Sequence, residues 1–223
     1  VNIINNTSKY VYCLDHLPLS TEWGKPASDV ASAFDVVGNY EVSLAGGASK
    51  DSLLDVLDER VSGYDLFLNA EKHDISLVIT GDPGPNQVDA VALIQHVIEN
   101  LCEVRKDCMA FISPLAQHVI NNKGNEVVDI IAYRNSLTSS SYAAMDSGWK
   151  YQYDKYNDVY RWVPLNADSA GLCARTDTSN DPWWSPAGLN RGLVKNVIKL
   201  AFDPYKAEQN DLYVNGVNSV ITQ

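Results

Sequence analysis

The sequence predicts an α/β fold (α+β overall): a mixed-sheet α/β sandwich domain over residues 49–223, preceded at 1–48 by part of a small β-rich domain. Three observations carry this. From Ile75 onward, apolar strand-like runs alternate with helical stretches, the order of parallel βαβ units. Residues before Ser49 are β-branched, aromatic and turn-rich. At Ser49 the hydrophobic period lengthens from the strand spacing to the helical one.

In the first part, Tyr10-Val11-Tyr12-Cys13-Leu14 reads as a strand stopped by Pro18, and Asp35 to Leu44 as a hairpin turning at Gly38-Asn39. Leu53, Leu54, Leu57 and Val61 then fall at helical spacing, with Ser49 or Asp51 as the start signal and Gly63 as the stop. Ile75 to Thr80 is a buried strand. Asn86 to Glu103 is the strongest helix, with Val88, Val91, Ala92, Ile94 or Gln95, Ile98, Leu101 and Cys102 forming its apolar stripe. Cys108 to Ile112 is a second strand, Glu126 to Leu137 a second helix and Ser141 to Met145 a third strand. Tyr151 to Tyr153 and Val159 to Val163 form two arms of a hairpin with Asp154–Asp158 at its tip. Asp168 to Arg175 is helical, as is Pro204 to Val214, which stops at Gly216 before a closing strand, Val217 to Ile221.

The run Asp181-Pro182-Trp183-Trp184-Ser185-Pro186-Ala187-Gly188-Leu189-Asn190-Arg191-Gly192 is too broken for a helix and too proline-rich for a central strand. Its glycines permit positive φ or close backbone approach. Its tryptophans are expected to anchor a well-packed loop that pins two elements together.

Composition excludes several classes. Seventeen basic against 28 acidic residues gives a net charge of −11, unlike a nucleic-acid binder. No apolar run approaches the roughly 20 residues of a membrane span. Cys13, Cys102, Cys108 and Cys173 make no Cys-x-x-Cys pair and read as free thiols. His16, His73, His96 and His118 share no metal-ligand spacing with a cysteine or carboxylate, so no metal site is expected.

Gly81-Asp82-Pro83-Gly84-Pro85 lies between a strand and a helix, where a phosphate loop would sit. Its prolines remove backbone donors and Asp82 adds a like charge, so it reads as a rigid turn. Ser113 and His118 are near in sequence, but Ser113 precedes Pro114 and no Gly-x-Ser-x-Gly elbow exists; Ser113 is expected to cap a helix. The 12 tyrosines include five between Tyr142 and Tyr160, as suited to a contact surface as to an ordinary sheet.

Three separated motifs occur in fixed order. Ser169-Ala170-Gly171-Leu172-Cys173-Ala174-Arg175-Thr176-Asp177 precedes Trp183-Trp184-Ser185-Pro186-Ala187-Gly188, and Asn215-Gly216-Val217-Asn218 comes last. In residue type, order and spacing the series resembles the tail sheath proteins of contractile-tailed bacteriophages, T-even type. There a helix with an Ala-Gly turn leads through Ala-Arg-x-Asp into a Trp-x-x-Pro-Ala-Gly loop, and Gly-(Ile/Val)-Asn follows. The resemblance runs from about Ile75 to the end. It implies that Gly171, Arg175, Asp177, Trp183, Trp184, Pro186, Ala187, Gly188, Gly216 and Asn218 are structural-motif residues.

The resemblance further implies a structural subunit, not an enzyme, with no catalytic, cofactor or metal residues. Such subunits stack as hexameric rings around a tail tube, in an array that begins at the baseplate. Contraction drives the tube through the host envelope for genome ejection. The implied partners are further copies of itself, the tail tube protein and the baseplate, with neither nucleic acid nor membrane. The implied location is the virion, with the host cytoplasm during assembly. The family's N- and C-terminal segments are not found, so the chain is expected to be a core fragment that stays monomeric. The alternatives are an α/β hydrolase-like enzyme with an unrecognised site, or a protein-binding module that uses the Tyr/Trp-rich hairpin.

Overall fold

The computed structural model describes residues 57–222, all within one compact unit. The expected β-rich piece at 1–48 and the start of the first helix, with Leu53 and Leu54, lie outside the described residues.

Helix α1 (Leu57–Asp65) runs through Gly63 instead of stopping there. Strand β1 (Leu77–Ile79) follows. Helix α2 opens as Gln87–His96, capped by the Asn86 side chain accepting from the Val88 N–H. It continues through a π-helical segment, Val97–Cys102, and a last α turn, Glu103–Arg105. Then come β2 (Met109–Ile112), the single turn α3 (Ala116–Val119), α4 (Glu126–Ser136) and β3 (Ala143–Asp146). A hairpin of β4 (Trp149–Asp154) and β5 (Val159–Pro164) leads into α5 (Asn166–Ser179). After a long loop, β6 (Lys199–Leu200), α6 (Lys206–Val214) and β7 (Val217–Asn218) complete the domain.

Helices and strands alternate as the sequence predicts, and the two kinds of pairing separate into two sheets. One is wholly parallel, in the order β1-β2-β3-β7; the other is antiparallel, in the order β5-β4-β6. The parallel strands are only two to four residues long. Ladder hydrogen bonds alone would hold such a sheet weakly, so packing must supply the rest. Val78, Ala110, Ile112, Met145 and Val217 point to one face and join cores with residues of α2, α4 and α6. Residues one step along, such as Phe111 and Asp146, point to the other face, where α5 packs on β1, β2 and β3.

The π segment changes the expected stripe of α2. Val88 and Ala92 face solvent, while Ala90, Leu93, Ile94, Val97, Ile98, Leu101 and Cys102 are buried. An extra residue in the turn widens the buried face. Ile98 thereby joins one core, and Val97, Leu101 and Cys102 join the other.

Gly171 lies inside α5, within the stretch expected to be helical, and an added Cβ there meets no atom within 4 Å. Gly171→Ala is therefore expected to stabilise the domain by about 0.5–1 kcal/mol, chiefly by restricting the unfolded chain. Urea unfolding of the two proteins checks it; a lowered midpoint would show that the position needs glycine.

Candidate functional site

Two places concentrate polar and aromatic side chains. The first is a buried polar junction at the C-terminal ends of the parallel strands. Asp146 ends β3 and points away from the main core. Its Oδ2 accepts from the Ser113 hydroxyl at 2.8 Å and its Oδ1 from the Gly148 N–H at 3.0 Å. Ser113 also accepts from the Asn166 N–H at 2.9 Å. It does cap a helix, but that helix is α5 and not the one that follows it. The Asn166 side chain donates to the Gly81 carbonyl at 2.7 Å and the Thr80 hydroxyl at 3.4 Å; Thr80 in turn donates to the Phe111 carbonyl at 2.8 Å. One network thus ties β1, β2, β3 and α5 together.

Burial raises the Asp146 carboxyl to about 8, outweighing the opposing bonds from Gly148 and Ser113, with Asp168 adding repulsion. The Ser113 side chain is engaged with Asp146 and the α5 N-terminus, and the residue is 1% exposed. His118 is buried with its ring 5.3 Å from that of Tyr133. Desolvation holds its pKa below the ordinary value, against the pull of Asp129. Among the described residues no His, Cys, Asp and Glu group of three or more could hold a metal ion, and no helix is long and apolar enough to cross a membrane.

The phosphate-loop candidate is a turn whose carbonyls face a cation. Arg60 donates to the Pro83 and Asp82 carbonyls, both at 2.9 Å, while Asp82 accepts from the Gly84 N–H within the loop. Such a loop presents acceptors where a phosphate requires donors.

The second place is the aromatic loop between α5 and β6. Its tryptophans are not the packed anchors expected: Trp183 is 79% and Trp184 44% exposed. Backbone bonds and glycines shape the loop instead. Gly188 has φ +115°, and the Gly192 N–H donates to the Gly188 carbonyl at 2.7 Å. Arg175, on α5, donates to the Arg191 and Leu193 carbonyls. The Arg191 guanidinium lies 5.0 Å from the Trp184 ring. Pro186 is half-buried; Ala187 and Asp177 are exposed.

The remaining motif residues sit elsewhere. Gly216 turns the chain at φ +78° after α6, beside the Arg134 side chain. Asn218, on β7, donates to the Met145 carbonyl at 3.1 Å. The structure therefore joins Arg175 to the Trp-Pro-Ala-Gly loop and places Gly216 and Asn218 at the β3–β7 end of the sheet.

Sequence reasoning missed Asn166, Thr80 and Asp146. Their only signal was position, just past or at the end of a strand or at the start of a helix. The tyrosine-rich hairpin is a stacked cluster: Tyr151 packs on Tyr160 and Trp162, with the Lys199 ammonium above Tyr151 and Trp162.

Such geometry defines an α/β domain whose buried polar groups lock a short parallel sheet and whose aromatic side chains lie largely at its surface. Chains of two solved structures share its fold. One chain of the cryo-EM structure of the anti-feeding prophage helical sheath in its contracted state superposes with a TM-score of 0.53 at 16% identity, over 77% of this chain and 41% of that one. A chain of the anti-feeding prophage baseplate structure gives 0.52 at 15% identity, over 75% and 39%.

Sequence comparison identifies the family. The family model of the phage tail sheath protein central domain matches residues 46–223, and the chain belongs to that family. It is 39% identical to the tail sheath protein of Enterobacteria phage T4, over 80% of this chain and 28% of that protein. It is 38% identical to that of Vibrio phage KVP40, over 74% and 27%, and 32% identical to that of Salmonella phage ViI, over 99% and 30%. The chain therefore spans less than a third of the length of these curated relatives.

Two predictions test this geometry. A carboxyl raised in the fold binds its proton more tightly folded than unfolded. Its contribution to stability is thus fullest below the ordinary value of 3.8 and is lost as pH rises to about 8. Asp146→Asn removes that titration, so the stability of the wild type should fall relative to that of the variant as pH rises across this window. The slope difference is at most about 1.4 kcal/mol per pH unit. Parallel curves would contradict the assignment. Separately, a Cβ at Gly192 would lie 2.9 Å from the Gly188 backbone N and O. Gly192→Ala should therefore speed proteolytic cleavage between residues 181 and 198 several-fold, while Gly171→Ala leaves it unchanged.

Proposed function

We propose that this chain is the central, load-carrying part of a contractile tail sheath subunit. Such subunits would stack as hexameric rings around the tail tube, starting from the baseplate. The sheath would then shorten to drive the tube through the host envelope. The observation that carries this reading is the match of the sheath central-domain family over residues 46–223. The physical properties support it. A subunit that moves between two packings must stay rigid while its contacts exchange, and the buried junction of Asp146, Ser113, Asn166 and Thr80 supplies such rigidity.

The division into a peripheral β-rich piece at 1–48 and an α/β core at 49–223 belongs to the same proposal. So does residence in the virion after assembly in the host cytoplasm. The subunit needs no catalysis on this reading, because two sets of subunit contacts store the energy. What supports a non-enzymatic role is the burial of Ser113 and the engagement of its hydroxyl by Asp146 and Asn166.

Sedimentation with negative-stain imaging tests the proposal, on this chain and on a polypeptide extended to the relatives' length. The expected outcome is a monomer for the first and regular tubes for the second. Monomers from the extended form at every salt concentration would overturn it.

A further inference from the structure

We propose that the aromatic loop docks on the outer face of α6 of a second copy, in a head-to-tail contact; this rests on the sheath reading. The two surfaces are complementary in charge. Residues 181–200 carry Arg191, Lys195 and Lys199 against Asp181 alone, a local net charge of +2 in a chain of −11. Residues 203–214 carry Asp203, Glu208 and Asp211 against Lys206, a net −2.

Both surfaces also present exposed aromatic area. The loop offers Trp183, and α6 offers Tyr205 at 79% and Tyr213 at 81% exposure. Exposed aromatics beside charges of one sign have the make-up of an interface centre and its rim. The loop is held in shape without its partner, by Arg175 on two carbonyls and by the Gly192–Gly188 bond, so little ordering opposes docking.

The pairing cannot be the same patch on both copies. Loop against loop sets cation against cation, and α6 against α6 sets acid against acid. A contact between two different patches of one chain is heterologous and repeats from copy to copy, giving rings or helical arrays instead of closed dimers.

The test is a charge exchange in the polypeptide of the relatives' length. Lys195→Glu should lower the assembled fraction about tenfold at low salt, and adding Asp211→Lys should restore it. Lys195 is exposed, so the fold should persist. A benzophenone photo-cross-linker at position 183 gives a second readout. In a mixture of isotopically light and heavy subunits, cross-links should join light to heavy copies and fall within 203–214. Tubes with unaltered assembly of the Lys195→Glu variant, tubes that Asp211→Lys fails to restore, or cross-links confined to one copy would overturn the docking and leave the sheath reading standing. If wild-type subunits form no tubes and no cross-links between copies, both readings fall.

Discussion

The buried carboxyl of Asp146 is the constraint on which the rest of the domain depends. It sits where the chain leaves the parallel sheet for the antiparallel one, and its two oxygens do different things. One accepts from Gly148 and fixes the bend; the other accepts from Ser113 and so fixes the start of α5. A carboxyl taken out of water carries a large penalty unless it is hydrogen-bonded or neutral. Here it has both remedies: two donors, and a pKa raised by burial to about 8. Strands of two to four residues tolerate this expensive group because it joins elements that their ladders alone would leave weakly connected.

From that bend, β4 carries organisation outward. Trp149, its first residue, donates through its indole N–H to the Pro114 carbonyl at 2.7 Å and contributes to the main core. Lys150, next along, is buried and donates to Asp168 at 2.8 Å and to the Lys195 carbonyl at 3.2 Å. The first bond ties the hairpin to α5, and the second ties it to the segment entering β6. The loop that bears the tryptophans therefore hangs between two anchored points, Arg175 on α5 and Lys150 on β4. Its outward face can be aromatic because its backbone is already held from behind.

Much of this was legible in the residues. Strand and helix order after Ile75 follows from the switch between two periods, and the motif series points to the family before any coordinates. The need for glycine in the aromatic loop was legible too, since a run with two prolines and two glycines must turn sharply. The misses have a common physical origin. Periodicity reports which residues are apolar, not how many residues a turn contains, so the π segment of α2 and the shifted stripe were invisible. Tryptophan reads as core because its transfer free energy is large, yet burial depends on whether something lies on top; nothing local separates Trp149, which is covered, from Trp183, which is not. Ser113 was assigned to the nearest helix because sequence shows adjacency, whereas its real partner, Asn166, lies 53 residues away.

Among the described residues, several cations of this acidic chain are engaged with loop carbonyls. Arg60 holds the Thr80–Pro83 turn by its carbonyls, Arg105 holds those of Phe67 and His73, Arg175 holds those of Arg191 and Leu193, and Lys150 that of Lys195. A planar guanidinium with five donors suits this role, since one side chain can satisfy several loop carbonyls that lie outside any ladder. The consequence reaches beyond stability. Cations engaged in this way are less free to offset the excess of acidic over basic side chains, 28 against 17. Like-charged copies repel at a distance unless a local patch of opposite sign brings them together. Exposed cations such as Lys195 and Lys199, beside the aromatic loop, are the kind of local patch that such an approach requires.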